Sequence, residues 1–145
     1  MASGSARSIE ELPGVARDVI DRARRAFLCT TDRRGFPHAV PVVFVVADNT
    51  FMTPIDAKPK TGRPLARIAN IRRDERVALL FEEWDEDWTK LAWVMVRGVA
   101  TLEPGHVWEH PLRERYPQYE QLRLEVGDHA IVVHPDRIHW WYWQT

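Results

Sequence analysis

The stretch from Pro37 to Ala47 constrains this chain more than any other. Read as a strand, it puts Val40, Val42, Phe44 and Val46 on one face and Ala39, Val43 and Val45 on the other. Neither face is polar enough to meet water, so both must be covered. Matching elements lie on either side. Ala26–Thr31 is apolar and is followed by Asp32-Arg33-Arg34-Gly35, which reads as a strand, a tight turn and a second strand from Phe36 onward. Asp48-Asn49 tolerates positive φ and predicts a second hairpin into Thr50–Pro54.

Further strands are predicted at Arg76–Glu82 and Leu91–Leu102, the latter with a bulge or bend at Gly98. A closing hairpin is expected from Ala130–Val133 and Arg137–Trp143 around His134-Pro135-Asp136. The helices are few. Ser8–Arg25 carries Ile9, Leu12, Val15, Val19, Ile20 and Ala23 near one stripe, with Pro13 in its first turn, so residues 1–25 read as an N-terminal helical segment. Pro64–Arg73 reads as a short helix opened by Pro64, and Pro104–Tyr119 as polar and helical in part. Six or seven strands with peripheral helices make the chain mainly β, and regular Pro, Gly and Asp punctuation favours antiparallel closure into a barrel. A small barrel buries only its inner face, so a second copy of the chain across a two-fold axis is the expected cover for the outer one.

Length and composition narrow the function. A chain of 145 residues suits one domain over 1–145, and 45% hydrophobic with 28% charged residues excludes disorder. Twenty Lys and Arg against twenty-one Asp and Glu leave a net charge of −1, which argues against a general nucleic-acid binder. Cys29 is the sole cysteine, so no disulfide and no multi-cysteine metal cluster forms within the chain, in keeping with a reducing cytoplasm. No apolar run approaches the roughly twenty residues that span a bilayer, and Met1–Arg7 lacks the apolar core of a signal peptide, so a cytoplasmic protein is expected. Seven tryptophans are many for this length; such rings seek burial, a flat ligand or another subunit.

Chemistry concentrates in Pro41–Asn70. Pro41 removes one ladder N–H from a strand read as buried and marks an interruption where a flat ligand could dock. The strand ending at Thr53-Pro54-Ile55 leads into a loop carrying Lys58, Lys60, Thr61 and Arg63, then Arg67 and Asn70 on the following helix. Cations, a hydroxyl and a helix start after a strand form an anion cradle suited to phosphate. A basic loop that simply faces water has the same composition, and these residues alone leave both readings open.

The order Gly35-Phe36-Pro37-His38, Pro41-Val42-Val43-Phe44, Pro54-Ile55-Asp56-x-Lys58-Pro59-Lys60-Thr61, Asn70-Ile71 and Arg76-Val77-Ala78-Leu79-Leu80 resembles the split-barrel family of pyridoxamine-phosphate-oxidase-like flavoproteins. Asp87-Trp88, Trp93-x-x-x-Arg97-Gly98-x-Ala100 and Tyr116-Pro117-Gln118-Tyr119 extend the likeness, closest to the small enzymes that use the deazaflavin coenzyme F420. The resemblance implies a homodimeric split β-barrel that binds F420, or alternatively FMN, and passes a hydride to a small conjugated acceptor. A non-catalytic flavin-binding module is the other reading. By the same resemblance, the cofactor ring lies against Pro41, Val42 and Val43 with Thr53, Pro54 and Ile55 beside it. Lys58, Lys60, Thr61, Arg67 and Asn70 meet its phosphate-bearing side, and Trp88 or Trp93 of a second copy closes over it. No catalytic side chain is assigned and no metal is implied. The aromatic run His139-Trp140-Trp141-Tyr142-Trp143 exceeds what the subgroup leads one to expect.

Other patterns carry less. His106-Val107-Trp108-Glu109-His110 matches an inverted zinc-protease motif, but Pro104, Gly105 and Pro111 leave scarcely one helical turn in which to align the imidazoles. His129, His134 and His139 need share no face, Cys29 has no nearby base, and Asp85-Glu86-Asp87 reads as a solvated acidic turn.

Overall fold

The two halves of the Pro37–Ala47 stretch lie at opposite ends of one sheet. The computed structural model describes residues 1–56 and 65–144. Its strands are β1 (Ala2–Ala6), β2 (Ala26–Thr31), β3 (Pro37–Val42), β4 (Val45–Ala47), β5 (Thr50–Asp56), β6 (Arg76–Glu83), β7 (Ala92–Pro104) and β8 (Val126–Tyr142). They pair antiparallel in the order β3-β2-β6-β7-β8-β5-β4, with β1 added along β8. Strands β3 and β4 end that path, yet only Val43 and Phe44 separate them in sequence. Three Cα–Cα steps span at most about 11 Å, so the sheet curls until its ends meet at one corner. The molecule is mainly β, a split barrel whose seam is the β3–β4 junction.

The predicted strand over Pro37–Ala47 is therefore two strands. No ladder continues through Phe44; its N–H donates to the Tyr116 hydroxyl oxygen at 3.1 Å, and the same hydroxyl donates to the Phe44 carbonyl at 3.1 Å. Pro41 sits on an edge strand, at an exposed position, rather than in a buried one. That is where a residue without an N–H is tolerated. Pro37, Ala39 and Pro41 stay exposed on the outer side of the single chain.

The interior follows from strand alternation. Phe44, Phe51 and Phe81 are fully buried; Phe44 meets Phe81 edge-on at 4.9 Å between centroids, and Phe51 lies 5.4 Å from the same ring. Each such side chain contributes about 1.5–3 kcal/mol through burial. Helix α1 (Gly14–Arg22) closes one end of this core through Ala16, Val19 and Ile20. A second, smaller cluster joins Val45, Met52 and Val132 to Leu112, Tyr116 and Tyr119 of the connection between β7 and β8. That connection holds a 3-10 turn, α3 (Glu109–Arg115) and α4 (Gln118–Gln121).

Four expectations change. Among the described residues there are eight strands rather than six or seven: the polar start is strand β1 rather than part of a helical segment, Pro37–Ala47 is two strands, and the two strands expected from Ala130 onward are one. Gly4 of β1 lies beneath Trp140, where an added Cβ would stand 2.4 Å from the ring. The helix expected over Ser8–Arg25 divides into a 3-10 turn at Ile9–Glu11 and α1, with Pro13 as the cap of α1 instead of a first-turn residue. Helix α2 runs Ala66–Arg73 with Leu65 as its cap; Pro64 lies outside the described residues. Finally, no hairpin forms at His134-Pro135-Asp136: β8 is continuous and pairs with β7 on both sides of that point. Its other edge changes partner there, from β5 up to Val133 to β1 from Ile138. The expected irregularity at Gly98 is present. The register slips between Arg97 and Gly98 with Asp136 as the extra residue, and a Cβ on Gly98 would lie 2.0 Å from the His134 carbonyl oxygen.

Candidate functional site

At the seam the chain leaves a cavity of about 480 Å³. Its existence follows from the missing ladder: where β3 stops hydrogen-bonding and β4 has not begun, Val43 stands at the rim. Pro41, Val42 and Val43 line it from β3 and the junction, Thr53 and Pro54 from β5, and Arg67 from α2. Six of the residues singled out from the sequence thus face one space.

Three others do not. Ile55 is buried in the main core, two residues on from Thr53. Asn70 is 4% exposed. Its amide donates to Thr30 Oγ1 at 3.0 Å, and its Oδ1 accepts from Arg73 at 3.1 Å, so it ties α2 to β2. Trp88 projects from a 3-10 turn, is 63% exposed, and does not line the cavity of its own chain. Lys58, Lys60 and Thr61 lie outside the described residues.

Among the described residues, five more line the same wall: Arg24, Tyr116, Gln118, Tyr119 and Leu124. The segment Tyr116-Pro117-Gln118-Tyr119 stood out in the sequence without a role. Tyr116 supplies one through its hydroxyl, which takes the Phe44 N–H, accepts from Arg115 Nε at 3.3 Å, and lies 3.2 Å from the Arg24 carbonyl. One hydroxyl therefore holds three backbone segments together at the seam. Arg24 carried no local signal; it reaches the site because Arg115 Nη2 donates to the Ala23 carbonyl at 2.6 Å and fixes that turn.

Thr53 is the polar residue on β5 that looks into this space. It is 2% exposed, and its Oγ1 makes no hydrogen bond among the described residues. A buried hydroxyl without a partner costs about 1–3 kcal/mol, a cost that a bound molecule relieves. Beside it are the apolar Val42 and Val43, with Arg67 on the facing helix, so the donor set suits a flat, polar-edged, anion-bearing molecule. Such a flavin-type cofactor fits these residues.

The displaced pKa values lie elsewhere. Hydrogen bonds from Arg76 hold the Asp74 carboxyl down to about 2, and those from Thr89 hold Asp87 below the usual carboxylate range. Burial raises the Cys29 thiol. The histidines of the zinc-like motif are not gathered, His110 pairing with Glu114 at 3.7 Å. Among the described residues no group of three or more His, Cys, Asp or Glu is placed to hold a metal. No helix among them is long and apolar enough to cross a membrane.

A curled antiparallel sheet with a ligand-sized gap at its seam defines a split-barrel binding domain. Residues 12–142 match the family model described as pyridoxamine 5'-phosphate oxidase, and the chain belongs to that family, whose members bind flavins and include oxidoreductases. Solved structures share the fold. A conserved hypothetical protein from Mycobacterium tuberculosis has a TM-score of 0.69 at 24% identity, over 88% of this chain and 82% of that one. A FAD-binding protein from Mesorhizobium loti has a TM-score of 0.68 at 15% identity, over 97% of each chain. An F420 reductase has a TM-score of 0.64 at 19% identity, over 88% of this chain and 98% of the other. No curated protein matches the sequence.

Proposed function

We propose that this chain is a homodimeric oxidoreductase that binds coenzyme F420, with FMN as the alternative, and reduces a small conjugated acceptor. The observation that carries the reading is the seam cavity, with Thr53 Oγ1 buried and unpartnered between the apolar strand edge and Arg67. Bound there, the cofactor would supply the hydride, and the protein would supply orientation and a dry wall. Pro41, Val42 and Val43 would flank the ring, and Thr53 and Pro54 its polar edge. Arg67, with Lys58, Lys60 and Thr61, would hold the acidic arm. The resemblance to F420-using enzymes favours the deazaflavin, and the fold shared with an F420 reductase is consistent with it.

The dimer would form on the outer sheet face. Register places Pro41, Phe27, Leu80, Met95 and His139 in one row across β3, β2, β6, β7 and β8, with Trp93 beside Trp141 nearby. Trp93 is 36% exposed in the single chain. Strand β6 begins at Arg76 and ends at Glu82-Glu83, so a two-fold axis that reverses strand direction would bring a basic end against an acidic one. The exposed Trp88 would then reach the other copy's cavity.

Fluorescence titration of the purified protein with F420 and with FMN tests the cofactor. Tight binding of one is expected, and comparable weak binding of both would leave the assignment without support. Arg67→Ala and Lys60→Ala should each weaken that binding by about 1.5–3 kcal/mol. Single-turnover oxidation of the reduced, bound cofactor by candidate acceptors separates an enzyme from a storage module, which would show no acceptor-dependent rate.

A further inference from the structure

The part of the cavity wall that lies away from the strand edge carries positive side chains. Arg24 and Arg67 both line the space, and among the described residues no carboxylate does. Three acids on other elements are engaged by other arginines. Glu109 and Glu120 both pair with Arg113, at 3.1 and 3.2 Å, and Glu83 pairs with Arg22 at 2.6 Å. Arg24 makes no ion pair among the described residues. Its Nη2 donates to the Arg115 carbonyl at 2.9 Å, and its guanidinium lies 4.6 Å from the centre of the Tyr116 ring.

Those two contacts fix the plane of the guanidinium, and Tyr116 is itself held through its hydroxyl. A guanidinium has about five N–H donors, so a single carbonyl leaves most of the fork for another acceptor. Arg24 is exposed, so water screens its charge, but a guanidinium held in place with no ion pair among the described residues is still suited to a carboxylate. The buried, unpartnered Thr53 Oγ1 marks the same cavity as one that holds a molecule; Arg24 sets the charge of what enters beside it.

We propose that Arg24, steadied by the Tyr116 ring and the Arg115 carbonyl, forms an anion subsite that selects flat conjugated acceptors bearing a carboxylate. The subsite rests on the function proposed above. The redox cofactor occupies the Pro41–Val43 and Thr53 side, and the acidic acceptor lies against Arg24 and Gln118. Arg24 acts as a specificity residue and takes no part in proton or hydride movement.

The test uses trans-cinnamate and its neutral amide, cinnamamide. Both are titrated into protein loaded with F420 or FMN, read by ring fluorescence, and in parallel by calorimetry into protein without cofactor. Cinnamate should bind roughly two- to fivefold more tightly than the amide, with a preference that shrinks as salt is added. Arg24→Gln should erase that preference, and Arg24→Lys, which keeps the charge but loses the fork, should retain part of it. Undetectable cinnamate binding, equal binding of acid and amide, or an undiminished preference in a folded Arg24→Gln protein overturns the subsite. The calorimetric arm needs no cofactor. A chain that prefers cinnamate yet binds neither F420 nor FMN overturns the cofactor reading alone, and one that binds a cofactor without telling acid from amide overturns the subsite alone.

Discussion

Removing one oxygen atom at Tyr116 tests whether a side chain has taken over the work of a strand. In Tyr116→Phe the ring and its packing remain, but the Phe44 N–H and C=O, each 3.1 Å from the hydroxyl, lose their partner while Phe44 stays fully buried. A buried backbone group left unpaired costs about 1–3 kcal/mol. Two such groups set an upper range of about 2–6 kcal/mol by the same figure, and water entering from the adjoining cavity would recover part of it. We expect a net loss of about 2 kcal/mol, which for a domain of this size lowers Tm by roughly 4–8 °C. Urea denaturation followed by far-ultraviolet circular dichroism measures the first quantity, and a thermal melt the second. The slope of the urea transition should stay at the wild-type value, because the surface exposed on unfolding is nearly the same. Ligand affinity should fall as well, since Val43, the neighbour of Phe44, lines the cavity. A midpoint within about 0.5 kcal/mol of wild type, the usual range of a neutral surface change, would refute the idea that the hydroxyl substitutes for the missing ladder.

Thr53→Val removes the unpartnered hydroxyl at nearly constant volume. The free protein should be as stable or about 1 kcal/mol more stable, while cofactor affinity falls; a loss of stability without a loss of affinity would assign Thr53 to the core. Gly98→Ala places a Cβ 2.0 Å from the His134 carbonyl oxygen, and should lower the urea midpoint by the equivalent of about 1–3 kcal/mol or more; an unchanged midpoint would mean that the β7–β8 slip relaxes freely. Asp74 titrates at about 2, mainly because Arg76 hydrogen-bonds its carboxylate. A folded-state value below the unfolded one gives stability that is present above the unfolded pKa, about 3.9, and is lost as pH falls from there toward 2. Arg76→Gln should move the Asp74 carboxyl resonance titration upward toward the ordinary carboxylate value, and a titration still centred near 2 would remove Arg76 as the cause.

The parts of the fold legible in the sequence were those set by local pattern. Ala26–Thr31 alternates buried and half-exposed residues over its whole length, Arg76–Glu82 alternates buried with outward residues, and the turn residues Asp48 and Asn49 both adopt positive φ as their chemistry allows. Pro41 pointed to the cavity it lines, although the β2–β3 ladder runs through it to Val42 and the interruption lies one residue beyond, at Val43 and Phe44. What stayed hidden depends on distant partners. Strand β1 is polar and small, and is a strand because β8 offers it an edge and Trp140 needs the room left by Gly4. Pro135 suggested a turn, yet β8 passes straight through it, the irregularity being absorbed by the extra Asp136 and by the change of partner on the far edge. Tyr116 reaches Phe44 across 72 residues, and Arg115 reaches Ala23 across 92. No window of neighbouring residues announces such contacts. Asn70 shows the converse: its place in a family-like motif suggested a ligand contact, and its two hydrogen bonds show a brace.

The pairing of Ala2 with Tyr142 and of Ala6 with Ile138 has a bearing on biogenesis. On the ribosome, the residues of β1 emerge early and must wait, without a template, until β8 has left the exit tunnel. Contacts that join such remote positions carry the highest loop-closure entropy and are made late. Trp140 therefore stays uncovered until β1 pairs with β8 across the whole sheet-forming sequence, and this ladder is expected to close after the local hairpins have formed.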